Sequence, residues 1–122
     1  MEEIQNSKYY DLEDRTLEYG KRIIKLCKAL NKDLINRNLA NQLIRSGTSM
    51  GANYREANET ETKKDFQFRI RICRKEGKET MYWLKLIMEA NPEISKRLED
   101  LLKETNELVK IFAAILEKTK NV

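Results

Sequence analysis

Apolar and small residues recur along most of this chain at alternating steps of four and three, the spacing that aligns them on one face of an α-helix. From Leu12 the series is Leu12, Thr16, Tyr19, Ile23, Leu26 and Leu30. It predicts a first helix over roughly residues 11–30, with Asp11 and Asp14 near its start and Lys28 near its end, as the helix macrodipole favours. Asn31-Lys32-Asp33 reads as a turn.

A second helix is expected over about 36–58, with Leu39, Leu43, Ser46, Met50, Asn53 and Ala57 in the same spacing. Its middle, Ser46-Gly47-Thr48-Ser49-Met50-Gly51-Ala52, has little bulk. Each glycine there costs about 1 kcal/mol of helix propensity relative to alanine, so a close neighbouring helix should compensate. Gly47 and Gly51 are one turn apart on one side. The alternative, a phosphate-cradling loop, lacks the pattern G-x-x-x-x-G-K-[ST], because Ala52-Asn53 follow Gly51.

Thr62 is a fitting N-cap for a third helix over 63–90, with Asp65 at N3. Phe66, Ile70, Cys73, Gly77, Thr80, Leu84 and Ile87 form its core stripe, while Phe68, Ile72, Tyr82 and Leu86 fall on a different face. Asn91-Pro92 marks a break and restart, with Asn91 as N-cap and Pro92 at the first helical position. A fourth helix over 92–119 then carries Ile94, Leu98, Leu101, Thr105, Leu108, Phe112 and Ile115, with Leu102, Val109 and Leu116 in surplus.

Short connections force successive helices to run antiparallel, so the pattern predicts an all-α, up-down four-helix bundle forming a single domain over residues 1–122. The surplus apolar residues Phe68, Ile72, Tyr82, Leu86, Leu102 and Val109 are read as an oligomer interface. The alternative is a wide bundle core.

Composition narrows the chemistry. The chain has no histidine, which removes the commonest general base and zinc ligand. Cys27 and Cys73 are far apart, make no CxxC pair and each fall on an apolar stripe, so both are expected as reduced core thiols; the alternative is a disulfide or a reactive site. No apolar run approaches the roughly 20 residues needed to cross a bilayer. The start, Met1-Glu2-Glu3-Ile4-Gln5-Asn6, does not resemble a secretory signal. The cytoplasm is the expected address.

Three groups of polar residues are candidates for function. Glu56, Glu59, Glu61, Glu76 and Glu79 invite comparison with carboxylate metal sites in bundles, but the Glu-x-x-His pairs of such sites cannot exist here, and neither metal nor cofactor is expected. Arg45, Asn53 and Glu56 are spaced to form a polar network beside the small-residue surface, a group expected to order a helix or subunit contact rather than to catalyse. The basic residues are more informative. Lys64, Arg71, Lys78 and Lys85 recur every seven residues along the third helix, flanked by Arg69, Arg74 and Lys75. With a net charge of +4, this ladder is the footprint of a surface that meets phosphate backbones. The competing reading is a solvated helix face. No motif for reading base edges accompanies it.

Asp11-Leu12, the segment Gln42-Leu43-Ile44-Arg45-Ser46-Gly47-Thr48-Ser49-Met50-Gly51-Ala52-Asn53 with Glu56-Ala57, Asp65-Phe66, and Glu79-Thr80-Met81-Tyr82-Trp83-Leu84 together resemble the bacterial 23S rRNA intervening-sequence proteins. The resemblance spans nearly the whole chain. It departs at Asn31, where the family often has proline, and at Gly77, where another small residue is usual. It implies an up-down bundle that assembles as a homo-oligomer, a pentamer, without enzyme activity. The related accessory protein of diversity-generating retroelements resembles a basic ring that binds nucleic acid and a reverse transcriptase, which suggests RNA, DNA or such a protein as partner. The expectation is a non-enzymatic homo-oligomer that binds nucleic acid with low sequence specificity. The alternative is an adaptor that engages a protein partner through its assembly.

Overall fold

A computed structural model of the chain describes residues 12–120. They form α1 (Leu12–Ala29), α2 (Leu34–Asn58), α3 (Lys63–Ala90), a short 3-10 turn (Pro92–Ile94) and α4 (Ser95–Lys120). This is an all-α four-helix bundle. Its seams run antiparallel: on α1 and α2, Thr16 lies by Gly51 and Ile23 by Gly47; on α2 and α3, Ser46 meets Thr80 and Asn53 meets Arg69; on α3 and α4, Gln67 meets Thr119 and Gly77 meets Val109.

The periodic positions fill the core. Every member of the α1 stripe is buried from Leu12 to Leu30, and Ile70, Cys73, Gly77, Thr80, Leu84 and Ile87 are buried on α3. On α2, Leu43, Ser46, Met50 and Ala57 are buried, while Leu39 and Asn53 stay half-exposed and Tyr54 and Gly47 complete the face. The turns obey local chemistry. Asp33 accepts from the Asn36 N–H at 2.8 Å, so α2 begins at Leu34, two residues before the patterned start. Thr62 caps α3 by accepting from the Asp65 N–H at 3.1 Å.

The start of α4 departs from expectation. Asn91 makes no side-chain capping bond, and Pro92 opens a 3-10 turn rather than the helix itself. The Asn91 amide is engaged elsewhere: its Nδ2 donates to Asn36 Oδ1 at 2.8 Å and to the Ile87 carbonyl at 2.9 Å, and it accepts from Asn36 Nδ2 at 3.0 Å. Both asparagines are buried, so this reciprocal pair locks the α1–α2 and α3–α4 turns together at one end of the bundle. Asp11 lies outside the described residues. Among those described, no helix is long and apolar enough to cross a membrane.

Candidate nucleic-acid interface and assembly surfaces

Burial of the α3 core stripe turns the opposite side of that helix outward. Lys64, Arg71, Arg74, Lys75, Lys78 and Lys85 are all exposed there. A rise of about 1.5 Å per residue puts successive members of the seven-residue ladder about 10 Å apart, close to the Debye length at moderate salt. Among the described residues Lys64, Arg71, Lys78 and Lys85 have no acidic partner. Arg71 and Arg74 come together with Lys120, Gln67 and Glu117 around a depression of about 280 Å³ between α3 and α4. Lys120 pairs with Glu117 at 3.5 Å, which leaves a positive excess at this end.

The second apolar face divides between two fates. Phe68 is 56% exposed, Tyr82 58% and Leu86 37%, with Ile72 half-buried between them. The Tyr82 ring stands edge-on to Trp83, centroids 5.0 Å apart. Leu102 and Val109, assigned by pattern to the same interface, belong to the chain's own packing. Val109 is only 8% exposed, because Gly77 has no Cβ to keep it out: a Cβ built there would lie 2.6 Å from Val109 Cγ2. Leu102 is half-buried against the core. The wide-core reading therefore holds for α4, and the outward stripe belongs to α3.

Arg45, Asn53 and Glu56 do not form one network. Arg45 and Asn53 are two turns apart, about 12 Å along the helix, and each reaches across to α3 instead. Arg45 Nη1 donates to Glu76 Oε1 at 3.2 Å and Nη2 to Glu79 Oε1 at 2.5 Å. Asn53 Oδ1 accepts from Arg69 Nη1 at 2.9 Å, and its Nδ2 donates to the Ser49 carbonyl at 2.9 Å. Glu56 is exposed beside Glu59, Thr60, Asp65, Phe68 and Arg69. The Arg45 hydrogen bond, with help from its charge and that of Lys75, holds the Glu79 carboxyl below its ordinary range. These contacts fasten α2 to α3.

Sequence reasoning missed a groove on the other flank of α2. Thr16, Leu17, Gly20, Ile24, Thr48, Gly51 and Ala52 surround about 420 Å³ between α1 and α2, with Glu13, Lys21 and Arg55 at its edges. Leu17 is 51% and Ile24 45% exposed. Their spacing of seven, off the core stripe of α1, was the available signal. The α1–α4 contact was missed as well: Tyr19 and Thr105 share a buried hydroxyl hydrogen bond, and Arg15 grips Glu104 through Nε at 2.7 Å and Nη2 at 2.9 Å.

Little here is poised for covalent chemistry. Burial pushes the Cys73 thiol up to about 12, which leaves almost no nucleophilic thiolate at neutral pH. Cys27 is shifted in the same direction for the same reason. Among the described residues no three His, Cys, Asp or Glu side chains are grouped to hold a metal ion.

Comparison with known proteins agrees with this architecture. The profile of the 23S rRNA-intervening sequence protein matches residues 9–114. A solved structure from Bacteroides thetaiotaomicron, described as a protein of unknown function from the S23 ribosomal protein family, is 33% identical, with a TM-score of 0.77 over 85% of this chain and 96% of that one. No functionally curated protein matches the chain.

Proposed function

Because the chain belongs to the 23S rRNA-intervening sequence protein family, we propose that it is a non-enzymatic homo-oligomer that binds RNA or DNA through phosphate contacts on α3. The observation that carries this reading is the set of exposed cations Lys64, Arg71, Lys78 and Lys85 without acidic partners among the described residues, joined by Arg74 and Lys75. Cations on a helix face meet the backbone and read no base edges, so sequence matters little. One chain offers few charges and binds weakly. A ring repeats the ladder and gains by avidity, and the family resemblance favours a pentamer. A second reading, an adaptor for a protein such as a reverse transcriptase, draws on the exposed aromatic residues Phe68 and Tyr82, a residue class enriched at interfaces.

A salt titration separates the two. Each phosphate contact contributes a slope of about 0.9 on duplex DNA and about 0.7 on single strands. Changing Lys64, Arg71, Lys78 and Lys85 together to glutamine keeps helix propensity, weakens binding and flattens that slope. No binding by the wild type at about 50 mM salt, where such contacts are strong, or equal slopes for both proteins, leaves the adaptor reading in its place.

A further inference from the structure

We infer that the depression between α3 and α4 seats one unpaired nucleotide, its base laid between the Arg74 guanidinium and the apolar floor of Ala113 and Leu116, its phosphate held by Arg71. The inference rests on the phosphate-contact reading above and deepens it: the nucleic acid is single-stranded.

The rim of this hollow is cationic and unsatisfied. Arg71 and Arg74 are exposed and make no hydrogen bond or ion pair among the described residues. Three residues apart, they are neighbours on one side of α3. Lys120 joins them from α4, and these three cations stand against one carboxylate, Glu117, which Lys120 itself holds at 3.5 Å. The excess positive charge draws in an anion, and both guanidinium groups are free to meet it.

The rest of the lining is apolar or already fixed. Leu116 is half-buried against the core, and Ala113, three residues before it on α4, has too little bulk to close the hollow. Gln67 is tied across the seam by its Nε2, which donates to Thr119 Oγ1 at 3.0 Å, so that wall is in place before a ligand arrives. The volume of about 280 Å³ lies just below the roughly 300 Å³ at which pockets for drug-sized ligands begin. It suits a single planar base.

A cationic rim over an aliphatic floor matches the two halves of a nucleotide. Arg71 lies on the ladder line between Lys64 and Lys78, each about 10 Å away, and so on the track of successive phosphates. Arg74 lies about 60° round the helix from that line, which leaves its plane for the base, and a guanidinium stacks on a base where an ammonium cannot. Pairing then decides access. A duplex must be unpaired and unstacked to give up a base, whereas a single strand offers its bases already free. Phosphate contacts alone favour the duplex, which releases more counterions per contact, so a preference for the single strand is the signature of a seated base. Every base has a π-face, and the seat therefore adds little dependence on sequence.

The test titrates the full chain with short RNA and DNA strands of mixed sequence and equal length at about 50 mM salt, read by fluorescence anisotropy. Each strand is offered unpaired and paired with its complement, and the DNA also as an abasic strand that keeps the sugar-phosphate chain. The wild type should bind an unpaired strand roughly two- to thirtyfold more tightly than its duplex, the two arms showing whether RNA or DNA is preferred, and the abasic strand should lose that advantage. Two variants alter the seat without altering its charge: Ala113→Leu, at a half-exposed position, fills the hollow, and Arg74→Lys, at an exposed one, keeps the cation and removes the plane. Circular dichroism verifies that both stay helical. Each should bring the unpaired strand down to the level of the duplex. A wild type that binds neither form sinks the phosphate-contact reading together with this one. A wild type that binds duplexes as tightly as single strands in both arms, or the abasic strand as tightly as the natural one, overturns only the seat, and so does either variant that keeps the preference.

Discussion

Helix α2 meets α1 on one flank and α3 on the other, and the two contacts are made of different materials. Toward α1 the approach is steric. A Cβ built on Gly47 would stand 3.2 Å from Ile23 Cγ1, and one on Gly51 would stand 3.0 Å from Thr16 Oγ1 and 3.6 Å from the Thr16 backbone carbon. Toward α3 the approach is polar: Arg45 to Glu76 and Glu79, Asn53 to Arg69, and Thr80 to Ser46 at 2.9 Å. The α1 flank is defined by what its residues lack, the α3 flank by what theirs donate and accept. The difference explains why one short segment carries both glycines and hydrogen-bonding side chains. Glu13, which reaches Asn58 at 2.7 Å and Arg55 at 3.3 Å, is a polar exception at one end of the α1 flank.

The largest effect should come from breaking the steric flank. Gly47 is buried, and Gly47→Leu should destabilise the fold by about 1 to 3 kcal/mol through overpacking against Ile23. The loss, read from urea unfolding, should not change with salt, because no charge is involved. An unchanged or raised stability would show that the α1 seam has room to spare, and the contrast between the flanks would fall.

This contrast was half legible in the sequence. The period of the apolar positions gave the helices and nearly all of the core, since burial on a bundle is a repeating constraint. Gly47 and Gly51 announced a close neighbour because glycine in mid-helix costs stability and needs an offset. The partners of Arg45 and Asn53 could not be read, because spacing on one helix says which residues share a face and not which side chain stands opposite on another helix. Val109 was misplaced for a related reason. Whether a surplus apolar residue turns inward depends on the bulk facing it, and only the structure sets Gly77 opposite. Asn91 shows a further limit: its local role as N-cap lost to a partner 55 residues away that offered two amide hydrogen bonds in a buried place.

A middle-sized effect should come from the polar flank. Arg45→Gln removes both ion pairs to α3, one of them to Glu76, which is only 7% exposed. The guanidinium itself is half-exposed, so solvent screens it, and the expected cost is about 1 kcal/mol at neutral pH. Unlike the glycine effect it should shrink with added salt. A double-mutant cycle with Glu79→Gln isolates the pair, and a coupling indistinguishable from zero would show that the contact is ornamental.

The smallest effect sharpens the comparison through pH. The folded Glu79 carboxyl titrates below its ordinary value of 4.5, chiefly because Arg45 donates to it; burial opposes this, and the charges of Arg45 and Lys75 add to the lowering. A group whose folded pKa is depressed binds protons less readily in the folded chain than in the unfolded one, so its contribution is whole above the unfolded value and disappears as pH falls through the folded one. The Arg45–Glu79 contact should therefore weaken as the pH falls below about 4.5, while the packing of Gly47 against Ile23 involves no charge. Unfolding curves between neutral and acid pH should show wild type and Glu79→Gln converging as the pH drops, with Gly47→Leu staying parallel to the wild type throughout. If the wild type and Glu79→Gln instead stay a constant distance apart down to the acid limit, the Arg45–Glu79 contact adds nothing through charge, and the polar flank rests on its other contacts, Arg45 to Glu76, Asn53 to Arg69 and Thr80 to Ser46.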